Sequence, residues 1–389
     1  VTILTDDLLE RIRLRAAGYD HDNSFAHEDL AELAAAGYLA AFVPVEWGGA
    51  GLGFAQVTRE QSRLAAASPA TALAINMHLV WTGVARVLLD RGDDSLAYVL
   101  HEAAAGEIFA FGVSEPGNDL VLFGSTTDAR PRDDGGYEFT GTKIFTSLSP
   151  VWTRLGVFGI DTSGPQPQLV HAFLERGTDG IEIVDDWDTV GMRASQSNTT
   201  RLSSARARPD RVFGHRPVGP SAHPIVFAIF ATFLTLVSSV YRGIAERGLE
   251  LGVEAARSRR SLRTGISADQ DPITRWKLAD AAIAIDALTP QLDTLARDID
   301  DLVDRGDQWF RALTGLKLRA TETARFCIDQ AVRVAGGSSF RSSHELGRLY
   351  RDVLAGGFHP SNEDSVHSTV ATAILGPITD QAPSKGLST

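Results

Sequence analysis

Gly141-Thr142-Lys143-Ile144-Phe145-Thr146-Ser147 ends a strand-like run with an aromatic ring and two hydroxyls. It continues Tyr137-Glu138-Phe139-Thr140, which follows the turn cluster Asp133-Asp134-Gly135-Gly136. Similar strand texture recurs in Arg154-Leu155-Gly156-Val157-Phe158-Gly159-Ile160 and in Leu169-Val170-His171-Ala172-Phe173-Leu174. Together these runs predict a small, largely antiparallel β domain over 110–218, closed by a linker marked by Pro217, Pro220 and Pro224.

On both sides the pattern turns helical. Residues 1–109 read as an N-terminal helical domain, with helically spaced Leu30, Leu33, Ala34 and Tyr38 and a buried helix over Leu73 to Leu89. Residues 219–389 predict a helical bundle with helices near 225–258, 272–304, 307–335, 343–353 and 363–375. Asp271-Pro272 is a helix start signal and Gly336-Gly337 a stop. The tail after Gly376 reads as disordered. The expected fold class is α+β, mainly α.

Composition narrows the function. The chain has 389 residues, 43% hydrophobic and 22% charged, with a net charge of −12. That charge argues against nucleic acid and anionic membranes as partners. The single cysteine, Cys327, sits in an apolar helical context, so no disulfide framework is expected. Ile225 to Val240 is the most apolar run, but it is short for a membrane span and leads into Tyr241-Arg242-Gly243. It reads as a buried helix. The N-terminus lacks the apolar core of a signal peptide, and a soluble cytoplasmic protein is the expectation.

Several chemistries fail on spacing. The pairs His21 and His27, His215 and His223, and His359 and His367 lack helical metal-ligand spacing, so no metal is expected. Gly112-Val113-Ser114-Glu115-Pro116-Gly117 is one residue too long for a nucleophile elbow. Val45 to Gly53 is glycine-rich but lacks the dinucleotide fingerprint and reads as a turn between helices. Ser114 and Ser147 make better sense as hydroxyls for a flavin ring, which needs polar partners along one edge and an aromatic wall. Phe145 and Trp152 are candidates for that wall.

In order and motifs the chain resembles the acyl-CoA dehydrogenase superfamily. The segments carrying the resemblance are Gly37-Tyr38 through Gly53, Val113-Ser114-Glu115-Pro116-Gly117, Gly141 to Ser147, Trp187 through Gly191-Met192-Arg193, and Leu349-Tyr350-Arg351-Asp352. The resemblance implies that Ser147 bonds flavin N5, that Phe145 walls the ring and that Ser114 meets its pyrimidine edge. It further implies that Arg259 and Gly336-Gly337 serve the cofactor diphosphate across a subunit boundary, in a dimer or tetramer. FAD is therefore the implied cofactor, with FMN as the alternative.

The resemblance also exposes departures. The position of the usual carboxylate base is occupied by Pro360, beside His359, and the alternative position by Phe233. Glu363 lies about one turn away. The family's CoA contacts align with Ala231 and Leu234, leaving Phe233 and Leu234 to form an apolar substrate pocket. Three readings stay open. The first is a flavin-dependent oxidoreductase, acyl-CoA dehydrogenase-like, with an atypical site and a small-molecule substrate. The second is a two-component flavin monooxygenase in which His359 and Ser147 are catalytic on an apolar or aromatic substrate. The third is a flavin-binding subunit without activity. An electron-transfer protein or a flavin reductase is the expected partner.

Overall fold

The computed structural model describes residues 2–376 and 378, except 264. Five helices come first: α1 (Asp6–Asp22), α2 (His27–Ala35), α3 (Phe54–Ala67), α4 (Pro69–Asp90) and α5 (Ala97–Ala104). Eight strands follow: β1 (Phe109–Gly112), β2 (Asp128–Pro131), β3 (Tyr137–Lys143), β4 (Arg154–Asp161), β5 (Gln168–Glu175), β6 (Ile181–Ile183), β7 (Thr200–Ala207) and β8 (Val212–Pro217). The chain then returns to helix in α6 (Pro224–Ser258), α7 (Pro272–Asp300), α8 (Gln308–Ala335), α9 (Glu345–Asp352) and α10 (Glu363–Leu375). Most of the tail after Gly376 lies outside the described residues.

Local chemistry explains the helix ends. Asp271 caps α7 by accepting from the Thr274 amide at 2.8 Å, with Pro272 in the first turn. α8 stops where Gly336 takes φ 71°. α4 starts at Pro69, with the Ser68 hydroxyl accepting from the Thr71 amide. Both α4 and α6 are long and apolar enough to cross a membrane by length and composition, yet they are mostly buried within the protein. An all-round apolar helix is what the centre of a layered fold requires. α6 packs against α3, α4, α7 and α8.

The strands form one sheet in the order β6-β7-β3-β2-β4-β5-β8, with β1 added against β4. β1 and β4 run parallel, as does the single β2–β4 link, and the other pairs are antiparallel. Trp81 of α4 locks the helices onto this sheet by donating to the Ala110 carbonyl at 3.0 Å. Its ring packs against Phe111, Phe173 and Phe213.

His78, one turn earlier on α4, makes a second tie. Its Nδ1 accepts from the Phe109 amide at 3.1 Å, so Nε2 carries the proton and donates to the Leu39 carbonyl at 2.8 Å. Burial pushes its pKa down from 6.5 to about 4, which keeps the ring neutral. The unfolded chain binds the proton more readily in that interval. His78 therefore contributes stability that is complete above pH 6.5 and is lost as pH falls toward 4, on the order of 3 kcal/mol. Urea unfolding at pH 7 and at pH 4.5 should show this drop, and a smaller one in His78→Gln. An unchanged drop in that variant contradicts the assignment.

Candidate active site

The site begins with a buried ion pair. Lys143, the last residue of β3, and Glu115, just beyond β1, meet at 2.5 Å with both side chains fully buried. The Lys143 ammonium also donates to the Phe158 carbonyl at 2.7 Å and lies over the Phe158 ring. Glu115 accepts further bonds from the Asn118 side chain, the Ser125 and Thr127 hydroxyls and the Thr126 amide. Burial alone would raise its pKa, but Lys143 and these donors hold it down at about 2. The pair fixes the ends of two non-adjacent strands side by side. The Ile144 amide then bonds the Ser114 carbonyl at 2.9 Å, bringing Ser114 next to the turn that carries Phe145 and Ser147.

That turn is strained. Phe145 takes φ 56°, in the left-handed region that bulky residues avoid, and its ring is 49% exposed. The ring stands edge-on to Trp187 at 6.1 Å. Ser147 is buried, with its hydroxyl 2.7 Å from that of Ser197, which in turn lies 2.7 Å from the Ser195 hydroxyl. Met192 (φ 53°) and Ser361 (φ 59°) also take left-handed backbone.

The opposite wall comes from the segment after α9. Asp352 accepts from the Met192 amide at 2.6 Å, and Arg351 bonds Asp20 and the Val190 carbonyl. Burial lifts the Asp352 carboxyl to about 6, against the pull of Arg348. Gly191 sits so close that a Cβ there would lie 2.3 Å from the Arg351 carbonyl oxygen. Gly191→Ala should therefore lower stability by about 1–3 kcal/mol. A thermal melt unchanged from wild type would contradict this packing.

Between the walls lies a cavity of about 230 Å³. Leu73 and Met77 of α4, Phe111, Phe233 of α6, Leu354 and Phe358 make it largely apolar. Ser114, Ser147, Ser197 and His359 supply polar atoms. Among the described residues lining it there is no Asp or Glu, and its one cation, Arg351, is already engaged. Glu363 is exposed at the start of α10 and does not line it. A second, more polar compartment of about 520 Å³ shares Ser114, Phe145, Phe358 and His359 and adds Asn118, Asn362, Ser365 and Ser368, together with Asp119 and Asp364.

The structure brings together Ser114, Phe145, Ser147, Phe233 and His359. It does not bring in Trp152, whose fully buried ring packs under the Arg176 guanidinium at 4.9 Å. Leu234 does not line this cavity but a small apolar pocket beside it, which Phe111 and Phe233 also line together with Ile229 and Phe230. Arg259 bonds the Val334 carbonyl and packs against Gly336, and neither these nor Gly337 lines the cavity.

Three further residues escaped the sequence reading. Ser197 joins the hydroxyl chain; its only signal was a polar Ser195-Gln196-Ser197 run after Gly191-Met192-Arg193. Tyr241 on α6 is fully buried with its hydroxyl 2.9 Å from Nε2 of His359. Lys317 of α8 donates to the carbonyls of Gly356, His359 and Ser361. It is a lone lysine on the face shared by Leu313, Leu316 and Ala320, a pattern legible as an anomaly but not as a role. Burial and the Lys317 charge push the His359 pKa down to about 3, so its imidazole is neutral.

Known proteins match this architecture. The family model for the acyl-CoA dehydrogenase N-terminal domain matches residues 7–107, and that for the C-terminal domain matches residues 235–363. An L-evernosamine nitrososynthase of Micromonospora sp. is 26% identical over 381 residues, covering 92% of this chain and 85% of the relative. A dibenzothiophene monooxygenase of Rhodococcus qingshengii is 26% identical over 372 residues, covering 90% and 88%. The crystal structure of KijD3 in complex with FMN and dTDP-3-amino-2,3,6-trideoxy-4-keto-3-methyl-D-glucose is 26% identical, with a TM-score of 0.85 over 96% of this chain and 93% of that one. Butyryl-CoA dehydrogenase from Megasphaera elsdenii shares the fold at 20% identity, with a TM-score of 0.84 over 96% and 99%. With its α-β-α order, its motif-bearing segments and matches to both family domains, the chain belongs to the acyl-CoA dehydrogenase superfamily.

Proposed function

We propose that this member of the superfamily is a flavin-dependent monooxygenase that uses reduced FMN and O2 on a neutral, apolar or aromatic small molecule. One observation carries the reading. Among the described residues, the cavity that holds Ser147 and His359 has no carboxylate lining it, so removal of a substrate α-proton, which dehydrogenation requires, lacks the carboxylate base it ordinarily uses. The nitrososynthase and monooxygenase relatives support the same direction. The main dehydrogenase-like expectation is correspondingly the weaker of the two.

The two compartments fit a flavin. An apolar slot with hydroxyls from Ser114 and Ser147 and a wall from Phe145 suits the ring, and the polar compartment suits a ribityl chain. No Lys or Arg is among the described residues lining that compartment, so the counter-charge for a phosphate would come from outside it, with Arg259 of a second copy as the candidate. FMN is preferred to the expected FAD because the similar KijD3 was crystallised with FMN. When bound, reduced FMN supplies two electrons to O2, one oxygen atom entering the substrate and the other leaving as water.

The protein's part is to exclude water with Leu73, Met77, Phe111 and Phe233, and to hold Ser147 through Ser197. His359 offers a neutral imidazole that holds a proton on one nitrogen and accepts on the other. Because Arg351 is already engaged, the cavity has no spare cation for a nucleotide diphosphate, which favours an uncharged substrate over a nucleotide sugar.

Two mixing experiments test the reading. Reduced FMN with protein and O2 should give a transient absorbance distinct from both reduced and oxidised flavin. Acyl-CoAs added anaerobically to the oxidised form should not bleach it. Bleaching by any chain length would restore the dehydrogenase reading, and a protein that takes up no flavin would favour the inactive-subunit reading.

A further inference from the structure

We propose that Tyr241 donates its phenolic proton to Nε2 of His359 and thereby holds the imidazole as its Nδ1–H tautomer. Tyr241 is a positioning residue in this account. The tautomer assignment stands on the hydrogen bond alone, whereas its catalytic consequence rests on the oxygenase reading above.

The contact is short and enclosed. The Tyr241 hydroxyl lies 2.9 Å from Nε2, the two rings are 5.7 Å apart at 65°, and Tyr241 is fully buried on α6. His359 is its only hydrogen-bond partner among the described residues. A phenol is a better donor than a neutral imidazole N–H, and imidazole nitrogen is a better acceptor than a phenolic oxygen. The reverse arrangement would leave the phenolic O–H buried without an acceptor, at the cost of an unsatisfied donor. The proton of neutral His359 is thereby assigned to Nδ1, leaving Nδ1–H as the ring's remaining polar group at a cavity that His359 lines.

The surroundings hold this geometry. Lys317 draws in the carbonyls of Gly356, His359 and Ser361, which fixes the backbone on both sides of the ring. Gly356 lets the loop press onto Tyr241, since a Cβ there would lie 2.9 Å from both the tyrosine ring and Thr321. The Asp352 carboxylate interacts with Tyr241 through charge, and one of its oxygens is buried without a hydrogen-bond partner.

In the reaction, a fixed Nδ1–H gives the cavity a proton donor of one orientation, where a freely exchanging ring would offer a donor half of the time. The test is ¹⁵N NMR of the full-length chain labelled with ¹⁵N-histidine, with FMN present, and with the His359 signal identified by its loss in His359→Gln. Wild type should show Nε2 as an acceptor and Nδ1 protonated. Tyr241→Phe should lose that preference, and product formed per reduced FMN should fall roughly tenfold, the weight of one net hydrogen bond. FMN affinity should stay near wild type. A wild-type Nε2–H signal, or an unchanged tautomer in Tyr241→Phe, overturns the proposal. A wild-type Nδ1–H signal supports it even where no substrate is oxygenated, an outcome that counts against the oxygenase reading alone.

Discussion

Replacing Lys143 by methionine should lower the free energy of unfolding by about 3–5 kcal/mol, because it strands a carboxylate in the protein interior. Glu115 is buried and keeps only neutral donors once the ammonium is gone. The loss reaches the site, since Glu115 follows Ser114 directly and Lys143 precedes the turn that carries Phe145 and Ser147. The double variant Glu115→Gln, Lys143→Met should recover much of the stability, as removal of both partners leaves no buried charge. Urea unfolding of the four proteins of this cycle gives the answer. A single-variant loss below about 1 kcal/mol would mean that the pair does not hold the strands. Since Glu115 is held at about 2, its stabilisation is complete above the ordinary carboxylate range and fades only as pH falls toward 2.

His359→Ala should cut oxygenated product per reduced FMN by about a hundredfold, the usual weight of a positioned proton donor or acceptor. The electrons would then leave as hydrogen peroxide, so oxygen consumption should continue while product disappears. Because His359 is neutral with a pKa near 3, the wild-type pH profile should carry no limb from it between pH 5 and 8. Product yield unchanged in the variant would reduce His359 to a loop residue held by Tyr241 and Lys317.

Local signals made the fold readable. The Asp271-Pro272 start, the Gly336 stop and the strand running into Gly141 depend on capping, backbone freedom and alternation within a few residues. Ser114, Phe145, Ser147 and His359 were reachable because they lie within motifs that keep their order along the chain. The supporting groups were not. Tyr241 and Lys317 sit on helices that bury several other polar side chains, and their meaning appears only when α6, α8 and the loop after α9 converge on one imidazole. Trp152 shows the opposite failure. An aromatic beside a strand satisfies a sequence reading as a cofactor wall or as core equally well, and here Arg176 and the sheet enclose it. Phe233 and Leu234, read as one pocket, do line one small apolar pocket together, and Phe233 alone also reaches the larger cavity.

The central claim is that an oxygen atom, and no substrate hydride, passes through this cavity. The direct measurement is mass spectrometry after single-turnover oxidation of an uncharged aromatic heterocycle by the protein, reduced FMN and ¹⁸O2. One ¹⁸O atom in the product, with the second in water, is the predicted result. Flavin reoxidation that yields only peroxide across a panel of such heterocycles, together with anaerobic bleaching of the oxidised flavin by an acyl-CoA, would contradict it.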